Sequence, residues 1–426
     1  MMRPLFAAKT FVAVVFLCVR GAAFSSAPAL SDLFTDHMVF AEGKPMRVFG
    51  TGIGRVEVFF DGQNAVAEPI GEDAWCATLP AHVAGCGYTL AVNLAGREVV
   101  LTDIGVGEVL LMGGQSNMQL IMDRTDYPVA KYADEPLLRC FAVTRPEADK
   151  EGAVAAFSAS DGWRTCAASE VARWSSLAYL MGMARVHDRH VPVGMVVCAQ
   201  GASVLCSWLP EELTAPGTAL EVIGSEMHSD YTNPAYSRWN QRGFLYGFMF
   251  RKVVPFGFTH AVWYQGESDT GRGGKNYYAP MLSAMITRWR EDLMDPGLTF
   301  TVVQIANLND RDDENWHGVQ AAQDAVPSLG EGVTLVKTAD ISTSYDIHPK
   351  DKTRLAQRLS RVLRKPPAPP AGTAGDETSL DTMVTFSTRS GTDVPLDTFL
   401  MSLARSPSPG IYLNTKPPTG LFILVR

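Results

Sequence analysis

Gly114-Gln115-Ser116-Asn117-Met118 stands at the end of an apolar run, Val109–Met112. A serine there sits in the turn that leaves a buried strand, exposed as a hydrolytic nucleophile must be. Far downstream, Asp346-Ile347-His348-Pro349 offers a matching base in His348. Between them, Trp263-Tyr264-Gln265-Gly266-Glu267-Ser268-Asp269 sets polar side chains into an apolar stretch. A serine hydroxyl is a weak nucleophile until a base takes its proton, and a histidine held in one tautomer by a carboxylate does this. Together the three blocks predict a serine esterase.

Each residue also has a plainer reading. Ser116 alone reads equally as a capping serine. His348 alone reads more simply as a loop histidine before Pro349, which opens a helix. As a set they favour chemistry. Asp346, two residues before His348, is the preferred orienting acid, its plainer role being an Asx turn. Glu267 is the second carboxylate, because burying it without a partner is costly. Asp340 and Asp269 come after them. A tetrahedral intermediate needs preorganised donors for its oxyanion. The candidates are the backbone N–H of Ser116, Gly201 and the Gln265 side-chain amide. Gly201 reads equally as a turn glycine, and Gln265 as an amide satisfying a strand end.

These residues need a scaffold, and the pattern after Gly105 supplies one. Val109–Met112, Val193–Val197, Ala261–Tyr264, Phe300–Ile305 and Val333–Val336 are short and apolar, as strands of a parallel sheet covered on both faces should be. Ser176–His187, Phe244–Val253, Tyr277–Leu293, His317–Ala325 and Lys350–Leu363 have helical spacing. The expected fold is α/β, a three-layer doubly wound parallel sheet over residues 105–365. Ligands of such sheets bind outside the carboxyl ends of the strands. Ser116, Gly201, Gln265, Glu267 and His348 all come just after proposed strands, at that one edge.

Residues 30–104 read as a small N-terminal β module: Arg47–Gly50, Val56–Phe60, Trp75–Leu79, Tyr88–Val92 and Glu98–Leu101 are strand candidates, with Asp61-Gly62 a hairpin turn. Residues 1–23 read as a secretory signal, with Arg3 and Lys9, the apolar Phe11–Val19 and the small residues Gly21-Ala22-Ala23. Arg20 is atypical there. The apolar run falls short of the roughly 20 residues a membrane span needs, so no span is expected in a mature, exported chain (extracellular, periplasmic or lysosomal). Residues 366–426 open with Pro366-Pro367-Ala368-Pro369-Pro370, are rich in Ser, Thr, Pro and Gly, and read as a flexible tail.

Without Cys18, six of the seven cysteines remain. Cys76 with Cys86 is a plausible disulfide, Cys140 with Cys166 and Cys198 with Cys206 weaker ones, and buried free thiols an equal alternative for those four. No Cys-Xaa-Xaa-Cys or His-Glu-Xaa-Xaa-His spacing occurs, so no structural or catalytic zinc, and no metal site, is expected. Gly271-Arg272-Gly273-Gly274-Lys275 fails the phosphate-loop pattern. A net charge of −8 and the lack of clustered basic residues argue against nucleic acid as a partner.

From about Leu30 to Leu363 the chain resembles the sialate O-acetylesterase family of carbohydrate esterases, within the SGNH hydrolase superfamily. The resemblance is carried by Leu33-Phe34-Thr35-Asp36-His37-Met38-Val39, Gly114–Met118, Trp263–Asp269 and Asp346–Lys352. It implies an SGNH or flavodoxin-like sheet, Ser116 as nucleophile, His348 as base and Asp346 as its orienting acid. It also implies that Gln265 serves the oxyanion and Glu267 supports the histidine. The implied reaction is hydrolysis of an acetyl ester on a sugar hydroxyl through an acetyl-serine, without a cofactor. The implied partner is an O-acetylated carbohydrate, and the oligomeric state is left open.

One block departs from the family pattern. Gln200-Gly201-Ala202-Ser203-Val204-Leu205-Cys206-Ser207-Trp208 keeps Gly201 and Trp208 but has Cys206 where a glutamate is usual. This leaves two competing expectations, a catalytically silent sugar-binding homologue and an esterase acting on another acetylated polysaccharide. Loops 123–134 and 214–233 would set that choice.

Overall fold

Alternation of apolar side chains sorts the central strand, Arg97–Gly114, onto two faces. Val109 and Leu111 enter one buried cluster, Leu110 and Met112 the other. The neighbouring strands Val193–Ala199 and His260–Tyr264 divide in the same way. Helices Gly274–Asp292 and Glu314–Asp324 cover the first face through Met281, Met285, Trp289, Trp316 and Val319. Helices Ser176–Arg189 and Thr353–Arg364 cover the second through Leu177, Met181, Leu355 and Leu359. Three layers result. The structure is a computed structural model describing residues 26–146, 156–221, 237–271, 274–308, 314–341, 343–364, 385–387 and 393–395.

Across the sheet the strands lie in the order Arg164–Cys166, Glu135–Ala142, Val193–Ala199, Arg97–Gly114, His260–Tyr264, Thr299–Val303 and Val333–Val336. All but the first, an antiparallel edge strand, run parallel to one another. From the central strand the chain builds to one side, then returns and builds to the other. The reversal lies at the carboxyl end of that strand, where open sheets of this kind leave a crevice.

The expectation of a wholly parallel sheet needs correcting. The sheet is mixed and eleven-stranded, because the first half of the central strand pairs antiparallel with Gly85–Leu94, which pairs in turn with Val56–Phe60. In the sequence this single strand reads as two, Glu98–Leu101 and Val109–Met112, since alternating exposure gives way to continuous burial. Gly105 and Gly107 look like a break between them. They are packing positions instead, for a Cβ on Gly107 would lie 2.0 Å from the Pro192 carbonyl oxygen. Strand Glu135–Ala142 is hidden in the sequence, its apolar run being interrupted by Pro136 and Arg139. Arg139 is buried because its guanidinium donates to the His37 carbonyl at 3.1 Å and to Asp103 Oδ1 at 3.1 Å, pinning the N-terminal strands to the sheet.

Asp61 and Gly62 form the expected tight turn, with φ of 42° and 78° between Val56–Phe60 and Gln63–Val66. The proposed disulfides do not form, and all six cysteines described are free thiols. Cys76 packs into one buried cluster and Cys86 against the other. Cys140, Cys166, Cys198 and Cys206 are buried as small apolar side chains. The signal expected at 1–23 lies outside the described residues. So does the tail, apart from Thr385–Ser387 pairing antiparallel with Asp393–Pro395. No described helix is long and apolar enough to cross a membrane.

Gly114 has φ of 138°, and a Cβ there would sit 2.0 Å from the Tyr264 carbonyl oxygen. Gly114→Ala should therefore cost about 3 kcal/mol through backbone strain and overpacking. Urea unfolding measures it, and a change below about 0.5 kcal/mol would show that this close approach is not required.

Candidate active site

Gly114, Ala199 and Tyr264 are level with one another at the carboxyl ends of three adjacent strands. The segments leaving these three strand ends therefore emerge at one place. After Gly114, Gln115 donates its N–H to the Tyr264 carbonyl at 2.9 Å, and a single helical turn, Ser116–Gln119, begins. Gln115 is buried, and its side-chain oxygen accepts from the N–H groups of Gly266 at 3.2 Å and Ser268 at 3.3 Å. The motif glutamine thus braces the Gln265–Asp269 turn against the serine.

Ser116 is partly exposed, and its Oγ lies 2.8 Å from Nε2 of His348. When the hydroxyl donates, the imidazole accepts at Nε2 and carries its own proton on Nδ1. This is the spacing of an activated nucleophile and its base. Burial first, and the charge of Lys352 second, hold the His348 imidazole below its ordinary value of 6.5. The ring is therefore neutral, and able to accept a proton, at pH 7.

Asp346 is placed differently from the expected orienting acid. Its Oδ1 accepts from the His348 backbone N–H at 2.9 Å and stands 4.0 Å from the ring Nδ1, beyond hydrogen-bond reach. The carboxylate shapes the turn that carries the histidine, and its charge favours the imidazolium. Asp340 is taken up by Arg358, at 2.7 Å, and takes no part.

Glu267 is buried and does not bond His348; its Oε1 accepts from Asn117 Nδ2 at 2.6 Å. The same nitrogen donates to the Ile347 carbonyl at 3.0 Å, and Asn117 Oδ1 accepts from Lys352 Nζ at 2.6 Å. Lys352 is buried beneath the Tyr264 ring, 5.5 Å from its centroid, and burial pulls its ammonium down to about 8. Asn117 and Lys352 both lie inside the blocks that carry the family resemblance, yet neither stands out by residue type or spacing. A lysine between an aspartate and a threonine, three residues after a proline, reads as a solvated helix start, and nothing local signals its burial.

The expected oxyanion donors are unequal. Ser116 is the first residue of its helical turn, so its N–H has no partner within the helix. Gly201 lies beside it, with a Cβ position 3.5 Å from Ser116 Cβ, but its N–H donates to Gln119 Oε1 at 2.7 Å. That bond must open before Gly201 can serve an oxyanion. The expectation for Gln265 is corrected. Its amide is buried, donating to the Ser203 carbonyl at 2.9 Å and to Asp269, and so faces the 203–206 segment instead of Ser116. Asp269, pushed up to about 7 by burial, also accepts the Leu205 N–H at 3.0 Å. The altered block with Cys206 is thereby tied to the Gln265–Asp269 turn, and the Cys206 thiol, pushed up to about 12 by burial, is inert packing. Among the described residues, no His, Cys, Asp and Glu side chains cluster as a metal site.

A family model, described as carbohydrate esterase, sialic acid-specific acetylesterase, matches residues 106–364. Among solved structures the chain is similar to a carbohydrate acetylesterase from Xanthomonas citri, at 26% identity over 79% of this chain and 74% of that one, with a TM-score of 0.65. It is more distantly similar to a protein from Arabidopsis thaliana, at 16% identity over 60% and 96% of the two chains and a TM-score of 0.34. An acetyl xylan esterase from the rumen bacterium Butyrivibrio proteoclasticus shares 9% identity over 80% and 98%, with a TM-score of 0.28. None of the curated proteins compared matches the chain.

A methyl group on Gly201 would meet Gln119 Oε1 at 3.3 Å and Ser116 Cβ at 3.5 Å, contacts the fold can absorb. Gly201→Ala should leave thermal stability within about 0.5 kcal/mol of the wild type. By crowding the space beside Ser116 it should slow labelling of that serine by a fluorophosphonate at least about tenfold. Unchanged labelling would show that Gly201 does not border the reacting position.

Proposed function

The chain belongs to the sialic acid-specific acetylesterase family of carbohydrate esterases, and we propose that it is an exported serine esterase whose preferred substrate is an O-acetylated sialic acid. Membership of that family supports hydrolysis of O-acetyl esters on sugars in general. The serine mechanism, the sialic acid substrate and export are the finer reading. One observation carries the mechanism: Ser116 Oγ and His348 Nε2 lie 2.8 Å apart at the switch point of the sheet.

In this reading Ser116 Oγ attacks the acetyl carbonyl while His348 Nε2 takes its proton. The oxyanion is met by the Ser116 N–H and by the Gly201 N–H once Gln119 has moved aside. Collapse breaks the bond to the sugar oxygen, which leaves with the proton from Nε2, and acetyl-Ser116 remains. Water then attacks with the same histidine as base, releasing acetate and restoring the hydroxyl. The family description favours sialic acid, and Arg3, Lys9 and Phe11–Val19 support export.

A second reading has one specific observation behind it. Two of the three expected oxyanion donors, the Gly201 N–H and the Gln265 amide, are engaged within the protein. A silent sugar-binding homologue would look like this.

Acetate release from 9-O-acetylated sialic acid and from acetylated xylan separates these readings. The wild type should release acetate, faster from the sialic acid, and Ser116→Ala should lose at least about 10³-fold in kcat. Calorimetric sugar binding without acetate release in folded protein would establish the silent homologue. Faster release from xylan would move the substrate to plant polysaccharide.

The pH profile is a further test. Because His348 is held below 6.5, the acid limb of kcat/KM should fall below that value, with more than half the plateau rate retained at pH 6.5. A limb above 6.5 would mean that another group is the base.

A further inference from the structure

The Ser116–His348 contact joins segments 232 residues apart, and the described geometry shows one side chain tying their backbones together. Asn117 comes directly after the serine and donates to the carbonyl of Ile347, the residue before the histidine. Its amide cannot turn over. Lys352 offers only donors and meets Oδ1, while Glu267 and the Ile347 carbonyl accept from Nδ2. We propose that Asn117, clamped between the buried charges of Lys352 and Glu267, is the positioning residue that holds His348 on Ser116. The Lys352 ammonium adds to burial in opposing protonation of the imidazole. This rests on the serine esterase reading given above.

The burial of the charges supports the inference. Lys352 is 2% exposed and Glu267 is 5% exposed. Ion pairs so deeply buried seldom add stability over an apolar replacement. Lys352 and Glu267 both bond Asn117, whose amide carries them to the carbonyl beside His348, and that connection is what points to a role in the site. No direct hydrogen bond joins Lys352 and Glu267 among those described; the Asn117 amide stands between them, bonded to both. The groups that act on the imidazole are Lys352 and Arg124, which oppose its protonation, and Asp346, which favours it. Lys352 is the stronger of the two cations in this respect, and Glu267, Asp346 and Asp351 in turn hold its own proton in place.

Lys352→Met removes the charge and keeps the stem volume. The His348 ring resonance, assigned against His348→Asn, is titrated by NMR in wild type and variant. It should titrate at higher pH in Lys352→Met, and the acid limb of kcat/KM should move up with it. At the plateau kcat should fall about tenfold or more, with KM within about twofold. Asn117→Ala should lose kcat likewise. Lys352→Met strands the Glu267 charge, so the double variant Lys352→Met/Glu267→Gln, which keeps an acceptor for Asn117, gives the same readout should the single variant fail to fold. An unmoved His348 titration in a folded variant overturns the inference, and so does lost kcat with an unmoved titration, because a merely structural role predicts that. Failure of the wild type to release acetate overturns the esterase reading instead, and the NMR titration is independent of turnover.

Discussion

Everything at the site depends on how closely the chain passes Tyr264 as it leaves the central strand. Gly114 has no room for a side chain, and only its φ of 138° lets Gln115 donate to the Tyr264 carbonyl. On the other side, Gln200 donates its N–H to the Gly114 carbonyl at 3.0 Å. Three strand ends are tied within one residue of one another. Ser116, Gly201 and the Gln265–Asp269 turn then share a single crevice, so the chemistry is placed by backbone hydrogen bonds before any side chain is chosen.

Ionisable groups buried at that edge are costly, and each is answered by a partner. Asp269 meets the Leu205 N–H and the Gln265 amide, Glu267 meets Asn117, and Lys352 meets Asn117 and the Tyr264 face. Arg185 on helix Ser176–Arg189 and Glu108 on the central strand, paired at 2.9 Å, obey the same rule without any link to the site. Burial alone therefore does not mark function. The Asn117 cluster is set apart because Asn117 directly follows Ser116 and its amide bonds the backbone carbonyl just before His348.

Much of this was legible in the sequence, because short apolar runs report burial on both faces directly. The strands at 193–199, 260–264, 299–303 and 333–336 follow from that rule, as does the edge on which Ser116 and His348 meet. The failures share a cause. Gly105, Gly107, Pro136 and Arg139 look like breaks locally, and only tertiary neighbours (Pro192, His37 and Asp103) make them strand residues. Side-chain direction was equally hidden. Gln265 sits where a donor was expected, but the buried Asp269 draws its amide away from Ser116. Lys352 reads as a surface lysine until the strand ends close over it.

The two carboxylates expected to share one role stand in different dielectrics, and that decides what each can do. Asp346 is half exposed, with its oxygen 4.0 Å from Nδ1, where water reduces a charge pair to about 1 kcal/mol or less. It can shape the turn through the His348 N–H and bias the ring weakly, an interaction that substrate would strengthen by shutting out water. Glu267 lies out of water and close to Lys352, where charge carries further, yet it makes no contact with the imidazole. Orientation of the base is thus divided. The exposed carboxylate accepts from the His348 N–H, and the buried one reaches the Ile347 carbonyl only by way of the Asn117 amide. In the esterase reading, burial keeps His348 neutral, and no described acid bonds its Nδ1.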